Sequence, residues 1–428
     1  MKFKIATTSN QQLYIILLIT LMGFIGVSIA YPLFAPLFLN SASSIMVATP
    51  WAEKNRNLLL GLTLAAYPLG QFIGSPIIGA LSDRYGRRSI LLSSLVGTLL
   101  GYILSALTLR HGLLWLLIFS RFLTGLSESN IALAQTIIAD LKDINKHKGF
   151  GGIMMAASIG YILGPMMGGL LSDNRLVSWF DVSVPFYAAA GLALLTLFLA
   201  YTALPETYKP TLTAQTAFWQ QFNILQHLKE MLRNAALRFL LIACLIFMLG
   251  VDVFYEFGPV YLTAIWHMDA TEIAFYTIIL CLGLALSSGW LSHQLSCRYP
   301  LYQSILVSII SFCLLLSAIA LAHSAQVVLI LYGVIGIAIS IATTSLRVQI
   351  SDTAGQHIQG KVMGMLMGLR MLGDAMLCLF GGALIHFSAT LPLYLGVLSA
   401  LIAATLYLFK VSMEINGNKR FSTEENMS

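Results

Sequence analysis

Six ionisable side chains stand inside stretches otherwise apolar enough to cross a bilayer: Arg121, Glu128, Asp252, Glu256, Arg370 and Asp374. A charge at mid-bilayer costs roughly 2.5–3.5 kcal/mol even on a lenient insertion scale, so a residue kept there binds, carries a proton or pairs. Arg121, Glu128 and Gln135 recur at intervals of seven, which puts them on one stripe of a helix, with Asn130 nearer the flank. Lipid does not solvate such a stripe, so it is expected to face an internal cavity. For Glu128 the alternatives are a titrating group and a permanent ion pair with Arg121. Asp252 and Glu256, with Tyr255 beside them, share another helical face. Two carboxylates one turn apart repel when both are ionised, which suits a proton carrier; equally, Glu256 could lie near the outer mouth in ordinary water. Arg370 and Asp374 are also one turn apart. Counting from Lys361 at 1.5 Å per residue, they lie roughly 13 and 20 Å deep. The expectation is a mutual ion pair turned toward protein, with anion contact by Arg370 as the alternative.

The elements that must position these groups are membrane helices. Of the 428 residues, 58% are hydrophobic and 10% are charged, against roughly 25% charged in soluble domains. Apolar runs predict spans at 12–37, 57–81, 89–109, 113–139, 149–172 and 184–204, then 237–264, 271–294, 301–322, 325–348, 361–386 and 389–410. The first run lacks a small-residue cleavage site and reads as a retained span. Of the 24 Lys and Arg, only Lys54, Arg56, Arg110 and Arg175 fall on one side of this arrangement. Arg121 and Arg370 are within it, and the rest lie on the other side. The positive-inside rule then predicts both termini in the cytoplasm and an even number of spans. Basic residues spread through short loops do not suggest nucleic acid. Cys244, Cys281, Cys297, Cys313 and Cys378 lack metal-ligand spacing and read as buried free thiols, and no metal or cofactor is expected.

The halves repeat. Gly79-Ala-Leu-Ser82-Asp83, with Arg88 five residues on, returns as Gly289-Trp-Leu-Ser292-His293 with Arg298, and Gly168-Gly169 returns as Gly381-Gly382. The offset is half a chain, as in parallel six-helix repeats. The predicted organisation is a bundle over 1–204, a linker over 205–236, a second bundle over 237–410 and a tail over 411–428. In the linker, Phe218, Phe222, Leu225 and Leu232 follow helical spacing beside Trp219, Lys229 and Arg233, which predicts an interfacial amphipathic helix.

Three motifs carry a family resemblance. Gly79-Ala-Leu-Ser-Asp83-Arg84-Tyr-Gly86-Arg87-Arg88 matches G-x-x-x-D-R-x-G-R-R, the signature loop of the major facilitator superfamily. Arg121-Phe-Leu-Thr-Gly125 is similar to the R-x-x-x-G motif of its proton-coupled drug antiporters. Gly160-Tyr-Ile-Leu-Gly164-Pro165-Met-Met-Gly168-Gly169 resembles their G-x-x-x-G-P-x-x-G-G antiporter motif, and Leu204-Pro205-Glu206-Thr207 is common after their sixth span. The chain thus resembles the twelve-span drug:proton antiporters of tetracycline and multidrug type. The resemblance implies an all-α membrane protein of twelve transmembrane helices in two pseudo-symmetric six-helix bundles, the major facilitator fold. It also implies that Asp83 and Arg87, within Gly79, Arg84, Gly86 and Arg88, latch a cytoplasmic gate with Asp140 as third partner. Gly160, Gly164, Pro165, Gly168 and Gly169 would form a close-packed hinge. One departure has a consequence: residues 13–38 contain no acidic group, so any coupled proton must use other carboxylates.

The function these features imply is alternating-access transport of a small organic molecule across a bacterial-type inner membrane, as a proton-coupled exporter. The alternatives are a proton-coupled importer of a siderophore, amino acid or other nutrient, and a non-transporting sensor. The partners expected are a small-molecule substrate, protons and the lipid bilayer, with the chain monomeric and no nucleic acid bound. No nucleophile–base constellation suggests an enzyme, and no Gly-rich phosphate loop suggests ATP as the energy source. Met154, Met155, Met166 and Met167, with Met363, Met365, Met367, Met371 and Met376, offer either a deformable ligand surface or lipid-facing filler.

Overall fold

A computed structural model describes residues 9–39, 50–129, 133–134, 136–138, 146–206, 235–287, 291, 294–295, 298–354 and 359–425. Among them the regular structure is helical. The helices are α1 (Ser9–Ser28), α2 (Tyr31–Leu39), α3 (Pro50–Lys54), α4 (Arg56–Tyr85), α5 (Arg87–His111), α6 (Leu114–Glu128) and α7 (Lys146–Leu170). They continue as α8 (Val184–Ala203), α9 (Ala235–Trp266), α10 (Ala270–Leu286), α11 (Leu301–Ala320), α12 (Ala325–Ala354), α13 (Gln359–Ile385) and α14 (Leu391–Glu425). Ten helical stretches are long and apolar enough to cross a membrane, α1 and α2 together forming the first. The shorter α6, of 15 residues, and α10, of 17, occupy the fourth and eighth of the twelve expected positions. The amphipathic linker helix, Gly289, Trp290, Ser292 and His293 of the second signature copy, and Asn130, Gln135, Asp140 and Cys297 lie outside the described residues.

The break between α1 and α2 at Ile29–Ala30 has a local cause. Pro32 has no N–H to give to the carbonyl of Ser28, so the hydrogen-bond ladder is interrupted there. At the other end of the chain, α14 runs to Glu425, so the segment 411–425 continues the last helix.

Two compact units divide the chain: Met1–Asn223 with Glu256–Ile278 and Met371–Ala389, and Ile224–Tyr255 with Ile279–Arg370 and Thr390–Ser428. In the first unit α6 packs between α4 and α5, α5 lies on α8, and α1 lies on α7 and α8. In the second, α11 packs on α12 and α14. Glycine sets how closely the first unit's helices approach. A Cβ on Gly61 would stand 2.8 Å from Gly382 Cα and 2.6 Å from Cys378 O, so α13 can meet α4 only where both lack side chains. This close approach, reaching from one sequence half to the other, lies within the first unit, which includes residues 371–389.

The glycines of the antiporter motif form one face of α7 applied to α1. A Cβ at Gly160 would meet Leu21 O at 3.0 Å, one at Gly164 would meet Ile25 O at 2.7 Å, and one at Gly168 would meet Ile29 O at 2.5 Å. Ser28 Oγ donates across this seam to Gly160 O at 3.2 Å. Gly169 turns instead to α10, where a Cβ would lie 3.0 Å from Ala270 O. Pro165 stands inside α7.

Candidate functional site

Glu128 ends α6 with its side chain wholly buried. Its Oε2 accepts a hydrogen bond from Tyr67 Oη of α4 at 2.6 Å, and its Oε1 accepts a very short one from Tyr102 Oη of α5. A Cβ on Gly26 of α1 would strike the Tyr102 hydroxyl and come within 2.9 Å of Glu128 Oε1. Four helices therefore converge on one carboxyl group. Small residues permit it: a Cβ on Gly125 would lie 2.9 Å from Tyr67 C, and one on Gly101 would lie 3.2 Å from Thr124 Cα. In the R-x-x-x-G motif, then, the glycine brings the backbone of α4 against α6 and delivers Tyr67 to Glu128.

Arg121, two turns earlier, is 3% exposed. Its guanidinium carbon lies 4.9 Å from the Tyr67 ring centroid, 5.4 Å from Phe34 and 6.0 Å from Phe186. Such cation–π contacts are worth about 0.5–2 kcal/mol each. Nε and Nη1 have no hydrogen-bond partner among the described residues. A permanent Arg121–Glu128 ion pair is therefore not what the described residues form, because the carboxylate oxygens are taken by tyrosines. Tyr67, Tyr102, Phe34 and Phe186 were not singled out by spacing. The available signal was that a hydroxyl inside an apolar span must find a partner.

The signature loop is a turn at Gly86, whose φ of 94° favours glycine. Arg87 Nη1 lies 2.5 Å from Asp83 Oδ1 and donates to Ser82 Oγ at 2.5 Å. Arg84 stacks over the Tyr85 ring at 5.3 Å. Among the described residues nothing stands within 4 Å of a Cβ placed at Gly79. Glu206, beyond α8, accepts from Arg87 N at 2.8 Å and from Arg88 N at 3.1 Å.

In α9 and α13 the pairing runs across helices. Arg370 Nε donates to Asp252 Oδ2 at 2.8 Å and Nη2 to Oδ1 at 2.5 Å, a cross-helix pairing that the sequence reading of Arg370 with Asp374 did not include. The reason is geometric, since the planar guanidinium edge matches both carboxylate oxygens at once. Asp374 shares a cluster with Glu256 and Cys378, their ligating atoms all within 4.8 Å of one another. On α9, Asp252 thus meets Arg370 and Glu256, one turn on, lies beside Asp374. Tyr255 lies 6.4 Å from the Phe254 ring, centroid to centroid.

At the α7–α10 end, Arg175 joins Asp173 at 2.8 Å and Asp269 at 2.5 Å. Hydrogen bonds from Arg175 pull the Asp173 carboxyl down to about 2. Asp269 and Glu272 each accept the other's backbone N–H at 3.0 Å, a capping box that opens α10.

A family model described as Major Facilitator Superfamily matches residues 13–377, and the chain belongs to that superfamily. It is therefore a multi-pass membrane transporter rather than an enzyme. It is 34% identical over 202 residues to the class C tetracycline resistance protein of Escherichia coli, covering 47% of this chain and 46% of that one. The matched stretch thus spans about half the length of that relative. With the class D tetracycline resistance protein of Salmonella ordonez the identity is 29% over 373 residues, covering 85% and 86%. Among solved structures, the human organic anion transporter MFSD10 (TETRAN) superposes with a TM-score of 0.67 at 20% identity, over 94% of this chain and 99% of that one.

Proposed function

We propose that this chain is a proton-coupled exporter of a small organic molecule, working by alternating access in a bacterial-type inner membrane with both termini in the cytoplasm. The observation that carries this reading is Glu128, a wholly buried carboxyl group bonded by two tyrosine hydroxyls rather than by a cation. A carboxyl in that setting can exist neutral or charged at modest structural cost, which a proton carrier requires. Arg121, with unused donors on the same stripe, tunes it. The tetracycline-resistance relatives support export and a drug-like substrate. Asp252, Tyr255, Glu256, Arg370 and Asp374 are the second group of proton or substrate residues. The loop from Gly79 through Asp83, Arg84, Gly86 and Arg87 to Arg88, with Asp140, is the cytoplasmic gate. Gly160, Gly164, Pro165, Gly168 and Gly169 are the hinge.

The test is tetracycline uptake into inverted vesicles under an imposed pH gradient. Glu128→Gln, which keeps the shape and removes the titration, should abolish gradient-driven uptake while leaving membrane yield intact. Full uptake with unchanged pH dependence in that variant would make Glu128 structural. Accumulation in right-side-out vesicles instead would favour the importer.

A further inference from the structure

We propose that Glu206 is a positioning residue of the signature loop: its carboxylate clasps the turn between α4 and α5 and so holds the Asp83–Arg87 latch. The proposal rests on reading that loop as the gate.

The first N–H groups of a helix lack intrahelical acceptors, and the helix dipole makes that end positive. Most helices meet this need with a Ser, Thr, Asp or Asn at the N-cap. At α5 the N-cap is Gly86, which has no side chain to offer. The acceptor comes from 119 residues away: Glu206 Oε1 takes the N–H of Arg87 at 2.8 Å, and Oε2 takes that of Arg88 at 3.1 Å. Gly86 is also what makes room, since a Cβ there would lie 2.5 Å from Glu206 Oε2. The glycine therefore serves the turn twice, by its positive φ and by leaving space for the carboxylate.

A second contact runs in parallel. Arg88 Nη2 donates to Tyr201 O at 2.6 Å, and its guanidinium lies 5.6 Å from the Tyr201 ring centroid. The end of α8 thus grips the loop through one anion and one carbonyl. With its backbone pinned by Glu206, Arg87 directs its side chain inward, is 8% exposed, and reaches Asp83 and Ser82. Glu206 also immediately precedes the long segment that joins the two sequence halves.

The experiment uses trypsin on the full chain in inverted vesicles, with cleavage after Arg87 and Arg88 followed by fragment sequencing, with and without an imposed pH gradient. In the unaltered chain cleavage should be slow and its rate should change with the gradient. Glu206→Ala should cleave roughly tenfold faster, as expected for loss of a cap, and be indifferent to the gradient. Glu206→Gln keeps one acceptor oxygen and should fall between, which separates positioning from misfolding. Asp83→Asn should also accelerate cleavage, and combining it with Glu206→Ala should add little, because both loosen one latch. A Glu206→Ala chain as slow and as gradient-responsive as the unaltered one overturns the clasp alone, and so do fully additive effects with Asp83→Asn. Gradient-independent cleavage of the unaltered chain overturns the gate reading, and the proposal with it.

Discussion

Arg121 and Arg370 are both cations within predicted spans, yet they are stabilised by different means. Arg121 lies among aromatic rings with unused donors, whereas Arg370 is neutralised by two hydrogen bonds to Asp252. The first arrangement leaves a group able to respond to a neighbour's charge, and the second holds a cation against a carboxylate. Removing one member of a buried pair is strongly destabilising because the other charge is stranded. Asp252→Asn and Arg370→Gln should therefore each lower stability by about 3 kcal/mol, while the double variant recovers most of it. Thermal unfolding in detergent and membrane yield of the three variants are the measurement. A double variant no better than the singles would mean that the pair is not what stabilises this region.

Helices α1 and α7 meet along glycines rather than along large side chains, and the consequence is intolerance of even one methyl group. Gly164→Ala places a Cβ 2.7 Å from Ile25 O and 3.1 Å from Ile29 N, and against Ser28 Oγ. Overpacking of this kind costs about 1–3 kcal/mol. Gly151→Ala in the same helix is the control, because among the described residues nothing lies within 4 Å of its Cβ, and it should be neutral or slightly stabilising. Equal melting temperatures for the two variants would show that the α1–α7 seam has slack. The motif was legible in the sequence as a close-packing signal, but its counterpart was not. Gly160 and Gly164 touch α1, Gly168 touches Ile29 and Pro32 at the α1–α2 break, and Gly169 touches α10, and no spacing rule distributes four glycines among these partners.

On the scale of the molecule, segments from both sequence halves are joined within the first unit through Gly61–Gly382 and through the Asp173–Arg175–Asp269 clasp. The clasp bears on pH dependence. Asp173 is held at about 2 against an ordinary 3.8, so the stabilisation it contributes is present above about pH 4 and is lost as pH falls toward 2. Between pH 5 and 8 Asp173 therefore stays ionised. Arg175→Gln should then change gradient-driven transport by the same factor at pH 6 and pH 8, whereas Glu128→Gln should change the shape of the profile. A profile reshaped by Arg175→Gln in that window would place a titrating group at the clasp.

The order of twelve helical positions, the signature loop and the six charges within spans were determined by local properties of the sequence. Hydropathy, glycine spacing and charge placement are each read over a few turns of helix, and the seven-residue interval already put Arg121 and Glu128 on one face. The partners of those charges were decided only by tertiary structure. Glu128 meets tyrosines 61 and 26 residues away, Arg370 meets Asp252 at a separation of 118, and the turn at Gly86 receives a carboxylate from beyond α8. Which side chains meet depends on how each helix is rotated about its axis and how closely its neighbours approach. Rotation and approach are set by contacts such as Gly125 against Tyr67 and Gly26 against Tyr102, which involve several helices at once and leave no periodic trace in any one of them.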